Sequence, residues 1–244
     1  MTSPVDFSGQ TVIVTGAARG IGQATAKGFA EAGASVWMVD SDAEALIPAA
    51  ESVGAFAAVA DVSATADVER VVAEAVEETG RIDVLFNNAG VLRDRVLWKI
   101  EDADWDLVVN VSLGGTFRFT RACVPHFRAR GYGRVINVTS FTGLHGNVGQ
   151  AAYAAAKAGV IGFSKTAAKE LARFGVTVNV LSPNAQTRMI ESIPDHIREG
   201  LDEQIPLGRF AEPKEIVPGV LFLASPEAGY VTGVVLPVDG GIAM

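Results

Sequence analysis

The chain has 244 residues, 49% hydrophobic and 20% charged; at about 150 residues per domain that is one large domain or two small ones, with enough apolar material to exclude global disorder. A formal net charge of −8 argues against nucleic acid, whose binding depends on neutralising phosphates with Lys and Arg. Cys123 is the lone cysteine, the N-terminal MTSPVDFSGQ lacks a charged-then-apolar signal layout, and no apolar run approaches the roughly 20 residues that span a bilayer; the expectation is a cytoplasmic protein without disulfides or membrane contact.

In chain order, short β-branched apolar runs alternate with Ala-rich helical stretches. Thr11 to Thr15, Ser35 to Asp40, Ala55 to Asp61 and Val84 to Asn88 predict strands, and Arg134 to Ser140, Thr177 to Ser182 and Val234 to Asp239 continue the series. Between them, Ile21 to Ala32, Asp42 to Val53, Asp67 to Thr79, Asp104 to Arg130, Tyr153 to Phe174 and Pro213 to Ala224 predict helices. Pro48 falls inside the second helix and predicts a kink or early end, since proline removes a helical N–H and crowds the preceding turn. Continuous rather than alternating apolar runs suit strands buried on both faces. Strand–helix alternation implies right-handed βαβ units. The expected fold is α/β, a single domain over 1–244 with a doubly wound parallel sheet of about seven strands and helices on both faces.

The first strand runs into Thr15-Gly16-Ala17-Ala18-Arg19-Gly20-Ile21-Gly22 and then a helix. Two readings stand: a plain glycine turn, or a cradle in which Gly16, Gly20, Ile21 and Gly22 bring backbone against a pyrophosphate at the helix's positive end. The second strand ends in Asp40, about 20 residues further on, where an acid bonds adenosine ribose hydroxyls. A carboxylate there repels a 2′-phosphate, so the expected cofactor is NAD rather than NADP. Arg19 pulls the other way if its guanidinium meets a phosphate, or is simply a solvated loop arginine. Asp61 and Val62, closing the third strand, either line an adenine ring or cap the following turn.

Tyr153 and Lys157 lie one turn apart on a predicted helix, and i, i+4 side chains share a face. A tyrosine is a poor acid–base catalyst near neutrality, and a neighbouring ammonium favours its phenolate. Ser140, thirteen residues earlier at a strand end, has no G-x-S-x-G elbow around it; it reads as a hydrogen-bond donor to a carbonyl oxygen rather than a nucleophile. His126, His145 and His196 lack ligand spacing, so no catalytic metal is expected.

Together, Thr15-Gly16-x-x-x-Gly20-x-Gly22, Asn87-Asn88-Ala89-Gly90, Asn110, Ser140 and Tyr153-x-x-x-Lys157 resemble the short-chain dehydrogenase/reductase pattern, in its order and approximate spacing over essentially the whole chain. The resemblance implies a Rossmann-type fold, with a cofactor half over 1–110 and a catalytic half over 111–244, assembled as a homotetramer. It implies Tyr153 as general acid/base, Ser140 orienting the substrate oxygen, and Lys157 lowering the Tyr153 pKa and bonding the nicotinamide ribose. It gives Asn110 a water of the proton relay; the other reading of Asn110 is a polar cap within a helix. Asn88, Ala89, Gly90, Pro183 and Thr187 would contact the cofactor.

Asn87 to Arg95, Asp104-Trp105-Asp106 and Gly146 to Ala151 further resemble bacterial 3-oxoacyl thioester reductases and the (3R)-hydroxyacyl-CoA dehydrogenase part of multifunctional β-oxidation enzymes. That implies a 3-hydroxyacyl or 3-oxoacyl thioester, carried on CoA or acyl carrier protein, with Leu92, Gln150, Ser140 and Tyr153 at the substrate. Phe141, Leu144, His145 and Val148 are further pocket candidates, and Met189, Ile190, Ile193 and Ile197 either form a lid or pack as an ordinary helix face. Arg93 and Arg95 meet CoA phosphates or are solvated. Asn184 stands where the family has glycine, in a turn one residue shorter, which weakens the Thr187 assignment. A dehydrogenase of a free secondary alcohol, such as a hydroxysteroid or cyclic alcohol, is the enzymatic alternative. A non-catalytic dinucleotide sensor is another, against which the presence of Tyr153 and Lys157 speaks.

Overall fold

The computed structural model describes residues 5–186, 200 and 202–244. One parallel sheet has the order β3-β2-β1-β4-β5-β6-β7. Its strands are β1 (Thr11–Thr15), β2 (Ser35–Asp40), β3 (Phe56–Val59), β4 (Val84–Asn87), β5 (Gly133–Val138), β6 (Val176–Pro183) and β7 (Val235–Val238). Helices α1 (Gly20–Glu31), α2 (Ala43–Val53) and α3 (Thr65–Thr79) belong to the first half. Then come α4 (Asp102–Val109), α5 (Gly115–Arg130), α6 (Phe141–His145), α7 (Ala151–Leu171) and α8 (Pro213–Ala224).

The continuous apolar runs follow from burial on both faces, because successive strand side chains point to opposite sides. Val12, Val14, Met38, Phe86 and Leu181 pack with Phe29 of α1, Leu46 of α2 and Ile216 of α8. Ile13, Val39, Leu85 and Val178, one residue out of step, pack with Val71 of α3, Phe119 of α5 and Leu171 of α7. The order of strands reverses between β1 and β4, the switch point where doubly wound sheets open a crevice beyond their carboxyl ends. Thr15, Asp40, Asn87, Val138 and Pro183 end their strands on that edge.

Several local expectations need correction. α2 runs through Pro48 without ending. Asp42 caps it, Leu46, Ala49 and Ala50 anchor it on either side of the proline, and Pro48 itself is exposed. The single helix expected over Asp104 to Arg130 is two, joined by a π-turn at Asn110–Gly114. The third strand is shorter than Ala55 to Asp61, because Asp61 turns the chain by accepting from the Ser63 N–H at 2.8 Å. The fifth ends at Val138, and Ser140 caps α6, a helix the sequence reading missed. Among the described residues, no helix is long and apolar enough to cross a membrane.

Candidate active site

The β1–α1 turn is held in shape by its glycines and by Asn88. Gly16 has φ +63° and Gly20 φ +58°, the left-handed region that costs a side chain energy. A Cβ on Gly22 would fall 2.1 Å from the Gly16 carbonyl oxygen, so helix α1 starts flush against the turn. The Asn88 side chain donates to the Thr15 and Gly16 carbonyls at 3.1 and 3.0 Å, and Thr15 Oγ1 accepts from the Asn88 and Ala89 N–H groups. This ties the end of β4 to the turn, with Ala89 and Gly90 leading away. The first N–H groups of α1, around Ile21, have no partner within the helix, which suits an anion. A cradle that a single Cβ would fill, facing a helix N-terminus, fits the diphosphate of a dinucleotide.

Around it, Asp40 Oδ2 accepts from the Ala18 N–H and Oδ1 from the Asp42 N–H, both at 3.1 Å. Arg19 is paired with Asp42 at 2.6 Å. Asp61 is exposed and serves its own turn, accepting from the Ser63 N–H and hydroxyl, while Val62 is buried against the Gly115 position of α5. The Asp61 contacts are those of the turn-capping reading. Pro183 ends β6 beside the site, and Asn184 Nδ2 reaches the Asp239 carbonyl at 3.5 Å. Thr187 and the lid candidates Met189, Ile190, Ile193 and Ile197 lie outside the described residues.

The reacting cluster forms where β5 gives way to α6 and α7. Thr139 Oγ1 donates to the Lys157 carbonyl at 2.7 Å, and Lys157 Nζ donates to the Val138 carbonyl at 2.8 Å, pinning α7 to the strand end. Gly143 allows the approach, since a Cβ there would meet Lys157 at 2.7 Å. Ser140, held by its bond from the Thr142 N–H at 3.2 Å, hydrogen-bonds the Tyr153 side chain. The Lys157 ammonium lies 5.6 Å from the centre of the Tyr153 ring. The structure thus brings Ser140, Tyr153 and Lys157 together.

The electrostatics differ from the sequence expectation. Burial pushes the Tyr153 phenol up to about 12; the Ser140 bond works against this and the Asp94 carboxylate adds to it. Lys157 is not what sets that value. Burial lowers its own pKa to about 8, and one of its three N–H groups donates to a backbone carbonyl. Near neutral pH Tyr153 therefore holds its proton and Lys157 is mostly charged. The positive charge is lost as the pH rises through about 8.

Asn110 and Gln150 both make contacts within the protein. Asn110 is exposed, and its backbone and side-chain oxygens accept from Arg118 at 3.2 and 3.4 Å. Ser112 is the buried polar side chain of the π-turn. Its Oγ accepts from the Val91 N–H at 3.4 Å, and it borders the same space beside Gly90 as Lys157 Nζ. Gln150 has its amide engaged by the protein: Oε1 accepts from Thr142 and Asn147, and Nε2 donates to Asp94, all at 3.0 Å. With the Arg95 N–H on the Gly149 carbonyl, it braces the loop after β4 to the loop before α7. Leu92 is half-buried on that first loop, and Leu144 and Val148 are exposed on the second. Arg93 pairs with Asp104 at 3.5 Å, and His145 stacks on Phe141.

Asp94 yields a pH prediction. Its negative charge disfavours the Tyr153 phenolate, so Asp94→Asn should lower that pKa. Alcohol oxidation needs the phenolate, so its rise with pH should begin at lower pH in the variant. A kcat–pH profile coinciding with wild type would remove Asp94 from the account.

A family model described as "Enoyl-(Acyl carrier protein) reductase" matches residues 16–243. The chain is 44% identical to the 3-oxoacyl-[acyl-carrier-protein] reductase FabG of Thermotoga maritima over 244 residues, covering 98% of this chain and 99% of that protein. It is 40% identical to FabG of Escherichia coli over 243 residues, 98% of this chain and all of that one. It is 41% identical to the short-chain reductase protein NovJ of Streptomyces niveus over 261 residues, with 99% of each chain covered. With the doubly wound sheet, the glycine cradle and the Ser140–Tyr153–Lys157 cluster, these matches place the chain in the short-chain dehydrogenase/reductase family, as an oxidoreductase of CH–OH groups that uses a nicotinamide dinucleotide.

Proposed function

We infer that this chain reduces a 3-oxoacyl thioester, on acyl carrier protein or CoA, with NADH. The carrying observation is the end-to-end similarity to 3-oxoacyl reductases, joined to a reaction centre that keeps Tyr153 protonated. Gly16, Gly20, Ile21 and Gly22 would hold the diphosphate and Asp40 the adenosine ribose, with Asn88, Ala89, Gly90 and Pro183 alongside. When bound, the coenzyme supplies the hydride. Ser140 donates a hydrogen bond to the carbonyl oxygen of the substrate. Tyr153 Oη delivers the proton to that same oxygen, completing a secondary alcohol, and a phenol at about 12 is in the right state to do so near neutrality.

Lys157 holds its positive charge close to the phenolate left behind, and the buried Ser112 hydroxyl beside Gly90, rather than Asn110, is the side chain placed to help return the proton. Asp40 supports NAD over NADP, because a carboxylate at the ribose repels a 2′-phosphate. The exposed Leu144 and Val148 suit the apolar arm of an acyl thioester. The single sheet supports reading 1–244 as one domain, and a cytoplasmic setting goes with that substrate. Exposed Leu97, Trp98, Tyr230 and Met244 are large apolar groups that burial in a homotetramer would account for.

The test follows NADH oxidation at 340 nm with acetoacetyl-CoA beside a cyclic ketone. Preference for the thioester by at least about tenfold in kcat/KM is the expected result. Preference for the ketone moves the substrate to a free secondary alcohol.

A further inference from the structure

Arg19 is the one cation in the Thr15–Gly22 turn, and its place immediately before Gly20 puts it at the mouth of the diphosphate cradle. Its guanidinium Nη2 lies 2.6 Å from Asp42 Oδ2, with both side chains part-exposed. Asp42 does two jobs with separate atoms. Oδ1 caps α2 by accepting from the Ala45 N–H at 3.1 Å, while Oδ2 takes the guanidinium. The Asp42 N–H in turn donates to Asp40 Oδ1, so the two acids and the arginine form one unit at the end of β2.

Resting on the NAD reading above, we propose that Asp42 is a coenzyme-selecting residue: by holding Arg19, it takes away the cation that would pair with a 2′-phosphate, and so reinforces the repulsion exerted by Asp40. A guanidinium already engaged by a carboxylate must break that pair to meet a phosphate. Asp42 also brings a second negative charge toward the position a 2′-phosphate would take. The pair is partly exposed, so its effect is moderate and shrinks with salt.

Asp42→Asn separates the two jobs, because asparagine caps a helix about as well as aspartate while carrying no charge. The experiment measures dissociation constants of NADH and NADPH directly, by nucleotide fluorescence, for the full chain at low salt. Wild type, Asp42→Asn, Arg19→Gln and the double variant are compared. The expected result is NADH preferred by wild type. Asp42→Asn should then tighten NADPH by roughly three- to tenfold, with a much smaller change for NADH. In the Arg19→Gln background most of that gain should vanish, since the gain depends on the freed guanidinium. An unchanged NADPH constant in Asp42→Asn overturns the proposal, as does an equal gain without Arg19, which would reduce Asp42 to a plain like charge. Wild type that binds NADPH more tightly than NADH refutes the NAD reading itself and the proposal with it.

Discussion

Tyr153→Phe should lower kcat by about 10²–10⁴-fold while leaving NADH binding in place. The variant removes one oxygen, the one proposed to deliver the proton to the substrate, and keeps the ring against which Lys157 packs. The loss belongs in kcat rather than KM, because the proton moves in the transition state and contributes little to ground-state binding. Turnover within a few-fold of wild type, in protein that binds NADH normally, would take Tyr153 out of the mechanism.

The second large effect is on the cradle. Gly22→Ala must place a methyl 2.1 Å from the Gly16 carbonyl oxygen and 2.9 Å from Asn88 Nδ2. Backbone, not a flexible side chain, stands in the way, so either the turn or the start of α1 has to move. Overpacking of this kind costs about 1–3 kcal/mol, which for a chain of this size lowers Tm by roughly 2–10 °C. The same displacement breaks the alignment of the Asn88 tether, the Gly16 carbonyl and the helix N-terminus, so NADH affinity should fall by roughly tenfold or more. Unchanged melting and unchanged affinity together would mean the close approach is not there.

Much of this architecture was legible because it follows from local chemistry. Val12-Ile13-Val14 reads as a strand covered on both sides, and the three residues do serve opposite cores. The i, i+4 spacing of Tyr153 and Lys157, with Ser140 at a strand end, foretold the cluster. What failed depended on features that no period displays. A π-turn changes the angular step of the helix, and Ser112, which the sequence reading did not single out, is buried there while the Asn110 side chain is exposed. Pro48 was read as a kink or early end; the helix does not end there, because a sound cap and buried neighbours on both sides outweigh one lost hydrogen bond.

The sequence could not show how strongly burial acts on this pair: it is the largest influence on both Tyr153, which it raises, and Lys157, which it lowers. Nor could the sequence show what holds Arg19, because its partner is a third residue, Asp42, whose contact with Arg19 spans the turn and the end of the next strand. Gln150 was read as a substrate-binding residue, and the sequence could not show that its amide is engaged by Asp94, Thr142 and Asn147.

The most direct test of hydride transfer at this centre is isotopic. Purified protein is given acetoacetyl-CoA with NADH carrying deuterium on both C4 positions of the nicotinamide, and the acyl product is weighed by mass spectrometry. A 3-hydroxybutyryl thioester one mass unit heavier, with the deuterium on C3, is the predicted result, and Tyr153→Phe should form it far more slowly. A hydroxy product without the label, or no product from protein that demonstrably binds NADH, would contradict reduction of a 3-oxoacyl thioester at the Ser140–Tyr153–Lys157 cluster.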